Sequence, residues 1–575
     1  MKRFLALSVV LLTGLVSAVG LGCDEKKDGG TPSGATATGA GGAKTETLQT
    51  FRFINRNDVI TLDLNQMSYM QDFRVTYALR EGLYTYDPRT MKAVPALATE
   101  VTTSPDQRVW TFKLREAKWS NGDPVTAHDF MFSWRHMLQA PGEYTSLFYY
   151  FLNAEEYEKA YTQGKPTDGI DLGFRAIDDR TIELRLKDPL PFLTDLLAFP
   201  PMYPRNEKSM LAFKEVSRDG KVTYKPEYTK PSPGPGKPGV VTNGPFELVE
   251  WEFGRILMMK RSPTYWDVAN VASPALEMVV SNDPQQAFNM YEQGEIQWIT
   301  DPTPQQSVDL KEAGRKDLQV GPGFGTHFIT VNCAPEVPGV IKGKNPLADV
   351  RVRRALNLAI DKKAIVDTIT RMGEVPAKSY MPPGLFEGFE PKPGADFNVE
   401  AARKLLAEAG YPGGKGFPSI SIVFNTDSPV RPSVAQFLKN EWQKKLGIPI
   451  EVKGIELKGY RAAIKGKDYA LGLAAWFGDY TDPSTFTDKY RSSAQNNDSN
   501  WAVAAYDKLL DDAAKEIDPA KRFDLLERAE DMINDELPVI PMWHAVAVTL
   551  RKDNVEGLYL NPKQLTMWKP VRATK

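Results

Sequence analysis

The side chains best suited to acid–base, nucleophilic or metal chemistry in this 575-residue chain are four histidines, two cysteines and 73 acidic residues. The histidines stand at 128, 136, 327 and 544. A helical zinc site needs two histidines one turn apart with a glutamate between them, as in H-E-x-x-H. His128 and His136 are eight positions apart, which splays them on a helix, and His128 and Asp129 are neighbours that point apart. Each histidine reads first as a structural or surface residue. A serine nucleophile would need a G-x-S-x-G elbow, which the chain lacks. The nearest approach to a phosphate loop, Gly41-Gly42-Ala43-Lys44-Thr45, follows no strand pattern. Cys23 and Cys333 are too few for a disulfide framework or an all-cysteine metal site, and Cys333 reads as a buried apolar residue. The acidic residues offer many pairs, but no spacing selects one. An exported hydrolase therefore stands only as an alternative reading, and no cofactor is expected.

The elements that must position any site follow from composition and periodicity. Formal charge is −2, which weighs against a dedicated nucleic-acid binder. The balance of apolar and charged residues is that of a folded soluble protein, and the length implies two to four domains. Trp110 to Arg115 and Thr181 to Leu186 alternate apolar and polar residues, as half-buried strands do, and His128 to Leu138 has helical spacing. Val352, Ala355, Leu356 and Ala359 share one helix face, and Asp361 can cap the next helix. Ala401 to Ala409 favours helix and stops at Gly410 and Pro412. Ile420, Ile422 and Phe424 alternate. A helix carrying Val434, Phe437, Leu438 and Trp442 follows, and Ile448, Ile450 and Val452 alternate again: a βαβ unit. Asp518 and Pro519 open a long amphipathic helix. Residues 226–240 are rich in proline and glycine and read as an exposed loop or insertion.

The N-terminus reads as an address. Lys2 and Arg3 precede an apolar stretch from Phe4 to Leu21, the layout of a signal peptide over residues 1–22. Gly20-Leu21-Gly22-Cys23 resembles a bacterial lipobox, so Cys23 is the expected lipidation site and membrane anchor. Gly20 stands where the pattern usually has leucine, and cleavage after Val16-Ser17-Ala18 is the alternative. Residues 23–45 carry no apolar periodicity and read as a flexible tether with a mean reach of about 25 Å. The body is then exported to a periplasm or cell surface.

Further motifs carry a family resemblance. Leu79 to Tyr84 with Val94 to Ala98, Lys118-Trp119-Ser120-Asn121-Gly122-Asp123 running on to Phe130, Thr242 to Phe246, Arg261 to Trp266, Asp349 to Leu356 and Leu405 to Tyr411 stand in order. Together they resemble the oligopeptide- and dipeptide-binding proteins of ABC importers, the extracellular solute-binding proteins of family 5. The resemblance spans about residues 50–570. It implies an α/β, two-lobed periplasmic-binding-protein type II (Venus-flytrap) fold with an extra subdomain. Lobe I is then 46–84, 205–325 and 546–575, its subdomain 85–204, and lobe II 326–545. It also implies a non-enzymatic monomer that hands a peptide to ABC transporter permease subunits. Relatives that carry nickel chelates, haem, opines or oligosaccharides keep those ligands open, as does a sensor or chaperone-like role.

Site residues come from the same resemblance. Trp476-Phe477-Gly478-Asp479 is similar to the family's W-x-[AG]-D segment, whose aspartate holds the peptide's ammonium. Read without the family, Trp476 is core and Asp479 caps a turn before Pro483. Asp72 falls where an acidic residue lines the cleft; Tyr144, Phe324 and His327 fall in pocket-lining segments. Some members have a cysteine bridge near the cleft, but Phe477 and Phe324-Gly325 lack cysteine. The arginine some members place near the ligand's C-terminus falls at about Leu473, which makes Arg431 the candidate replacement.

Overall fold

Alternating apolar segments assemble into one long mixed sheet. The computed structural model describes residues 49–574, except 56, 218–221, 235–236, 282 and 495, and these belong to one compact unit. The expected signal peptide, Cys23 and the expected tether lie outside the described residues.

Ten strands are, in chain order, β1 (Phe51–Ile54), β2 (Phe246–Glu252), β3 (Ile256–Arg261), β4 (Ala275–Val279), β5 (Trp298–Ile299), β6 (Leu318–Val331), β7 (Ile420–Asn425), β8 (Ile450–Ile455), β9 (Leu471–Phe477) and β10 (Val539–Arg551). Across the sheet they lie β2-β3-β4-β1-β5-β10-β6-β9-β7-β8, and Val375–Pro376 adds to β10. The β7–helix–β8 unit is parallel, as its spacing predicts, with the helix at Arg431–Leu446. The long strands β6 and β10 pair antiparallel along most of their length, but the ladder is interrupted between Pro322 and Thr326.

Apolar clusters gather on either side of that interruption. One draws on residues from Phe51 to Trp298 and again from Val555 to Ala573, joined by Tyr480. Two others draw on residues from Phe324 to Trp543 and flank β9. We refer to these bodies as lobe I and lobe II. Lobe I also carries a four-stranded antiparallel sheet in the order Ala98–Thr103, Val109–Leu114, Thr181–Arg185, Phe174–Asp178. The helix Ala127–Gln139 packs on it, with Asp129 accepting the Thr126 amide at 2.9 Å to start the helix.

In lobe II the helices form where the periodicity predicts: Val350–Leu358, Val399–Glu408 and Pro519–Glu536, the last capped by Asp518. The 226–240 segment differs from a wholly exposed loop. Tyr228 and Thr229 are buried, and Tyr228 packs on Met210 and Phe213 beside a hairpin of Lys214–Val216 and Val222–Tyr224. Proline blocks ladder bonding but not burial, and one aromatic ring is enough to pin the loop.

Candidate functional site

Strand pleating decides which residues of the 471–479 segment reach the groove between the lobes. Side chains on a strand alternate faces. Ala474 and Trp476 pack against the lobe II cluster that holds Phe324, Tyr380 and Phe486. Ala475 and Phe477 face the other way and line a cleft of about 680 Å³. From lobe II that cleft is also walled by His327, Arg431 and Trp543; from lobe I, by Asn55 and Asp301. Phe477 leaves 48% of its surface open there, an apolar ring left uncovered by core packing. The strand ends at Phe477, and Asp479 follows two residues on in a bend.

The segment is held tightly from behind. The Trp476 indole donates to the Thr485 carbonyl at 2.8 Å, and the Asp479 amide donates to the Thr485 hydroxyl at 2.9 Å. The Gly478 amide donates to the Phe324 carbonyl at 2.9 Å. A Cβ at Gly478 would lie 2.2 Å from the Phe324 ring, so only glycine lets the chain pass so close. Trp476, Gly478 and Phe324 thus position the row and do not line the cleft. The turn that opens at Pro483 is capped by Asp482, which accepts the Ser484 amide at 3.0 Å, and not by Asp479.

Asp479 is left in an unusual state. Its side chain is open to water, yet it sits at a crowded junction beside Tyr144 and Lys563. Among the described residues no donor lies within hydrogen-bonding distance of its carboxylate. Loss of surrounding solvent pushes the carboxyl up to about 6, opposed by the positive charge of Lys563. Tyr144 stands close enough that the Asp479 charge, after burial, raises its phenol further. Tyr144 is half-buried, packed edge-on against Phe73 at 5.8 Å and Phe199 at 4.9 Å.

Two residues absent from the sequence reading complete this junction. Lys563 donates to both oxygens of Asp195, at 3.3 and 3.2 Å, and to the Tyr86 hydroxyl at 3.2 Å. Asp195 in turn accepts the Thr481 amide at 2.7 Å and hydroxyl at 2.8 Å. Beside it the rings of Phe192 and Tyr480 stack at 4.3 Å, so lobe I and lobe II touch here. At the opposite rim Arg371 pairs with Glu312.

The other charge lies further back along the wall. His327 is paired opposite Ala475, and its ring stacks on Trp543 at 4.9 Å. Burial, then the nearby Arg431 charge, pushes its pKa down to about 4, so the imidazole is neutral at pH 7. Arg431 begins the helix that follows β7 and lies 5.8 Å from the Tyr460 ring. Among the described residues no carboxylate pairs with it.

Asp72 does not join this group. It is fully enclosed in the first turn of the helix Met70–Leu79, with one oxygen accepting the Ile60 amide at 2.8 Å and the other unpartnered. Burial pushes it up to about 7. The Ile60 amide lies in an irregular segment with no ladder to bond to, and Asp72 turns inward to accept it. Among the described residues no group of three His, Cys, Asp or Glu side chains is arranged to hold a metal ion.

Comparison with known proteins places this geometry. The family model described as bacterial extracellular solute-binding proteins, family 5 Middle, matches residues 92–498. The periplasmic oligopeptide-binding protein OppA of Salmonella typhimurium is 30% identical over 535 residues, 91% of this chain and 92% of that protein. The periplasmic murein tripeptide-binding protein MppA in an unliganded open form superposes with a TM-score of 0.75 at 26% identity, over 92% of this chain and 99% of that one. Haemophilus influenzae OppA in complex with the peptide RPPGFSPFR superposes with a TM-score of 0.69 at 25% identity, over 92% and 100% of the two chains. The two-lobed α/β fold implied by the sequence motifs is therefore the fold of this chain. It is a non-catalytic binding fold, and the chain belongs to the bacterial extracellular solute-binding proteins of family 5.

Proposed function

We propose that this protein is a peptide-binding lipoprotein that captures oligopeptides between its lobes and delivers them to an ABC importer. The observation that carries the reading is a charge imbalance. Asp479 and Asp195 bring two negative charges to the interlobe contact that follows Phe477 in the chain, and Lys563 brings a single positive one. That contact is short of one cation, and the carboxylate left over has no donor. A peptide's α-ammonium is a cation common to all peptides, so pairing it with Asp479 fixes register without reading side chains.

The opposite charge has a matching place. Arg431 offers a cation without a carboxylate partner, fitted to a ligand's C-terminal carboxylate, with neutral His327 beside it as a hydrogen-bonding group. Ala475, level with His327, is four residues from Asp479. At about 3.3 Å per extended residue that run covers up to about 13 Å. A peptide of about three to five residues spans such a distance. Phe477 and Tyr144 then face its side chains, and backbone hydrogen bonds supply the remainder.

Closure is read at the two crossings near 325 and 545, where the β6–β10 ladder is interrupted. A ligand held by both lobes favours the closed form through differential contacts. Lobe limits of 46–84, 205–325 and 546–575 against 326–545, with 85–204 as the subdomain, follow from this reading. Diacylglycerol on Cys23 would hold the exported monomer at a membrane. A Cys23→Ser variant is expected in the soluble fraction; its retention in the membrane fraction would refute the anchor.

Native mass spectrometry of gently purified protein tests the ligand. A ladder of co-purifying peptide masses is expected, concentrated at about three to five residues. A single chelate, haem, opine or sugar mass would replace this reading with one of those ligands.

A further inference from the structure

The interlobe contact beside Asp479 holds a lysine that has two carboxylates to choose between. Lys563 is only 8% exposed, yet its ammonium is satisfied: it lies 4.3 Å over the Tyr86 ring and donates to Tyr86 and to both oxygens of Asp195. Asp479 is the other carboxylate whose field it feels. The two segments are neighbours through Phe324, whose amide donates to the Pro562 carbonyl at 3.0 Å while its carbonyl accepts the Gly478 amide. A lysine stem is long and flexible, and an ammonium deprived of one anion turns to the next within reach.

Asp195 is placed to prevent that turn. It sits on the short helix Leu193–Leu197 in the lobe I subdomain and is nearly fully buried. It is the meeting point of three separate stretches: its own helix, the 562–563 segment, and Thr481 of lobe II, two residues past Asp479. A buried ammonium left without an anion is costly, so its location follows the strongest available pair.

We propose that Asp195 is a positioning residue for ligand capture: it holds Lys563 and the Thr481 turn together, and so reserves the Asp479 carboxylate for an incoming ammonium. The proposal rests on the peptide reading above for the identity of that ammonium, but the lysine's choice of partner does not. If Asp195 loses its charge, Lys563 moves onto Asp479 and competes with the ligand's N-terminus. If the lysine is also removed, Asp479 is free again. A purely structural role for Asp195 predicts no such recovery.

The test compares the full chain with Asp195→Asn, Lys563→Met and the double variant. The first readout needs no ligand: carbon-detected NMR titration of the Asp479 carboxyl. In Asp195→Asn its pKa should fall by about one unit or more, because a cation now adjoins it, and in the double variant it should return. The second readout is binding of unblocked tri- and tetraalanine, with the N-acetylated peptides as controls. Asp195→Asn should weaken the unblocked peptides about tenfold or more at pH 8, and the double variant should recover most of that loss. Should Asp195→Asn fail to fold, Asp195→Ser and its double variant with Lys563→Met carry the same comparison, with the same fall and return of the Asp479 titration expected.

An unchanged Asp479 titration in Asp195→Asn overturns the proposal. So does a double variant as weak as the single one, or a Lys563→Met protein that binds peptide tenfold more weakly. A parent that binds neither peptide, while the Asp479 titration moves as described, sinks the peptide reading and leaves the Asp195–Lys563 arrangement standing.

Discussion

Asp479 and Glu530 are both carboxylates of lobe II that burial pushes upward, to about 6 and about 7. Their surroundings differ in kind. Glu530 is fully enclosed on the helix Pro519–Glu536 and accepts the Met381 amide at 2.9 Å, fastening the 380 loop to the helix. Asp479 has no donor among the described residues, and water reaches it at the bend that follows β9. One carboxylate is engaged inside the fold; the other is kept open. A perturbed acid by itself marks burial, and it marks a binding site only when its partner is missing and its face is open.

The largest expected effect breaks the symmetry between the two. Asp479→Ala should weaken unblocked peptides by about 2–5 kcal/mol, because the ligand's ammonium would be desolvated without a partner. Folding stability should not fall, since the carboxylate makes no internal bond. Titration gives the same result by another route: affinity should be lost as pH falls through about 6, where Asp479 takes up a proton. Arg431→Met should cost less, about 1.5–3 kcal/mol for one charge-assisted contact. That loss should vanish for C-amidated peptides. Isothermal calorimetry on both variants decides the matter. Equal losses with and without the free C-terminus would remove Arg431 from the site, and an Asp479→Ala protein as tight as the parent would remove the ammonium anchor.

What could be read from the sequence follows the range of the interactions involved. Helices such as Val350–Leu358 and the β7–helix–β8 unit obey local periodicity, so their apolar faces announce them. The cleft row was half legible. Period-two alternation places Ala475 and Phe477 on one side and Trp476 on the other, yet the motif presents Trp476 to Asp479 as one ligand-binding string. Asp72 was placed by its segment, and its orientation depended on an amide at Ile60, which alternation does not report. Lys563 and Asp195 are 368 residues apart, and no pattern in the chain pairs them. The charge imbalance that best supports the function is a long-range fact, visible only once the lobes touch.

The smallest effect tests the structural half of the comparison. Glu530 keeps its proton in the folded protein well above its ordinary value of 4.5. Folding is therefore favoured while the group is protonated: its contribution is complete below about pH 4.5, fades as pH rises through about 7, and above that the buried charge is a cost. A glutamine side chain in its place would still present an oxygen to the Met381 amide and would never ionise. Glu530→Gln should thus be more stable than the parent at pH 8, by on the order of 1–3 kcal/mol, and close to it at pH 5. Asp72 titrates over the same range in both proteins and cancels in the difference. Urea unfolding at the two pH values gives the comparison directly. A gap of the same size at pH 5 and pH 8 would mean that packing, and not the charge of Glu530, separates the two proteins. Peptide affinity should be unmoved throughout, because Glu530 fastens the 380 loop and takes no part in the proposed ligand contacts.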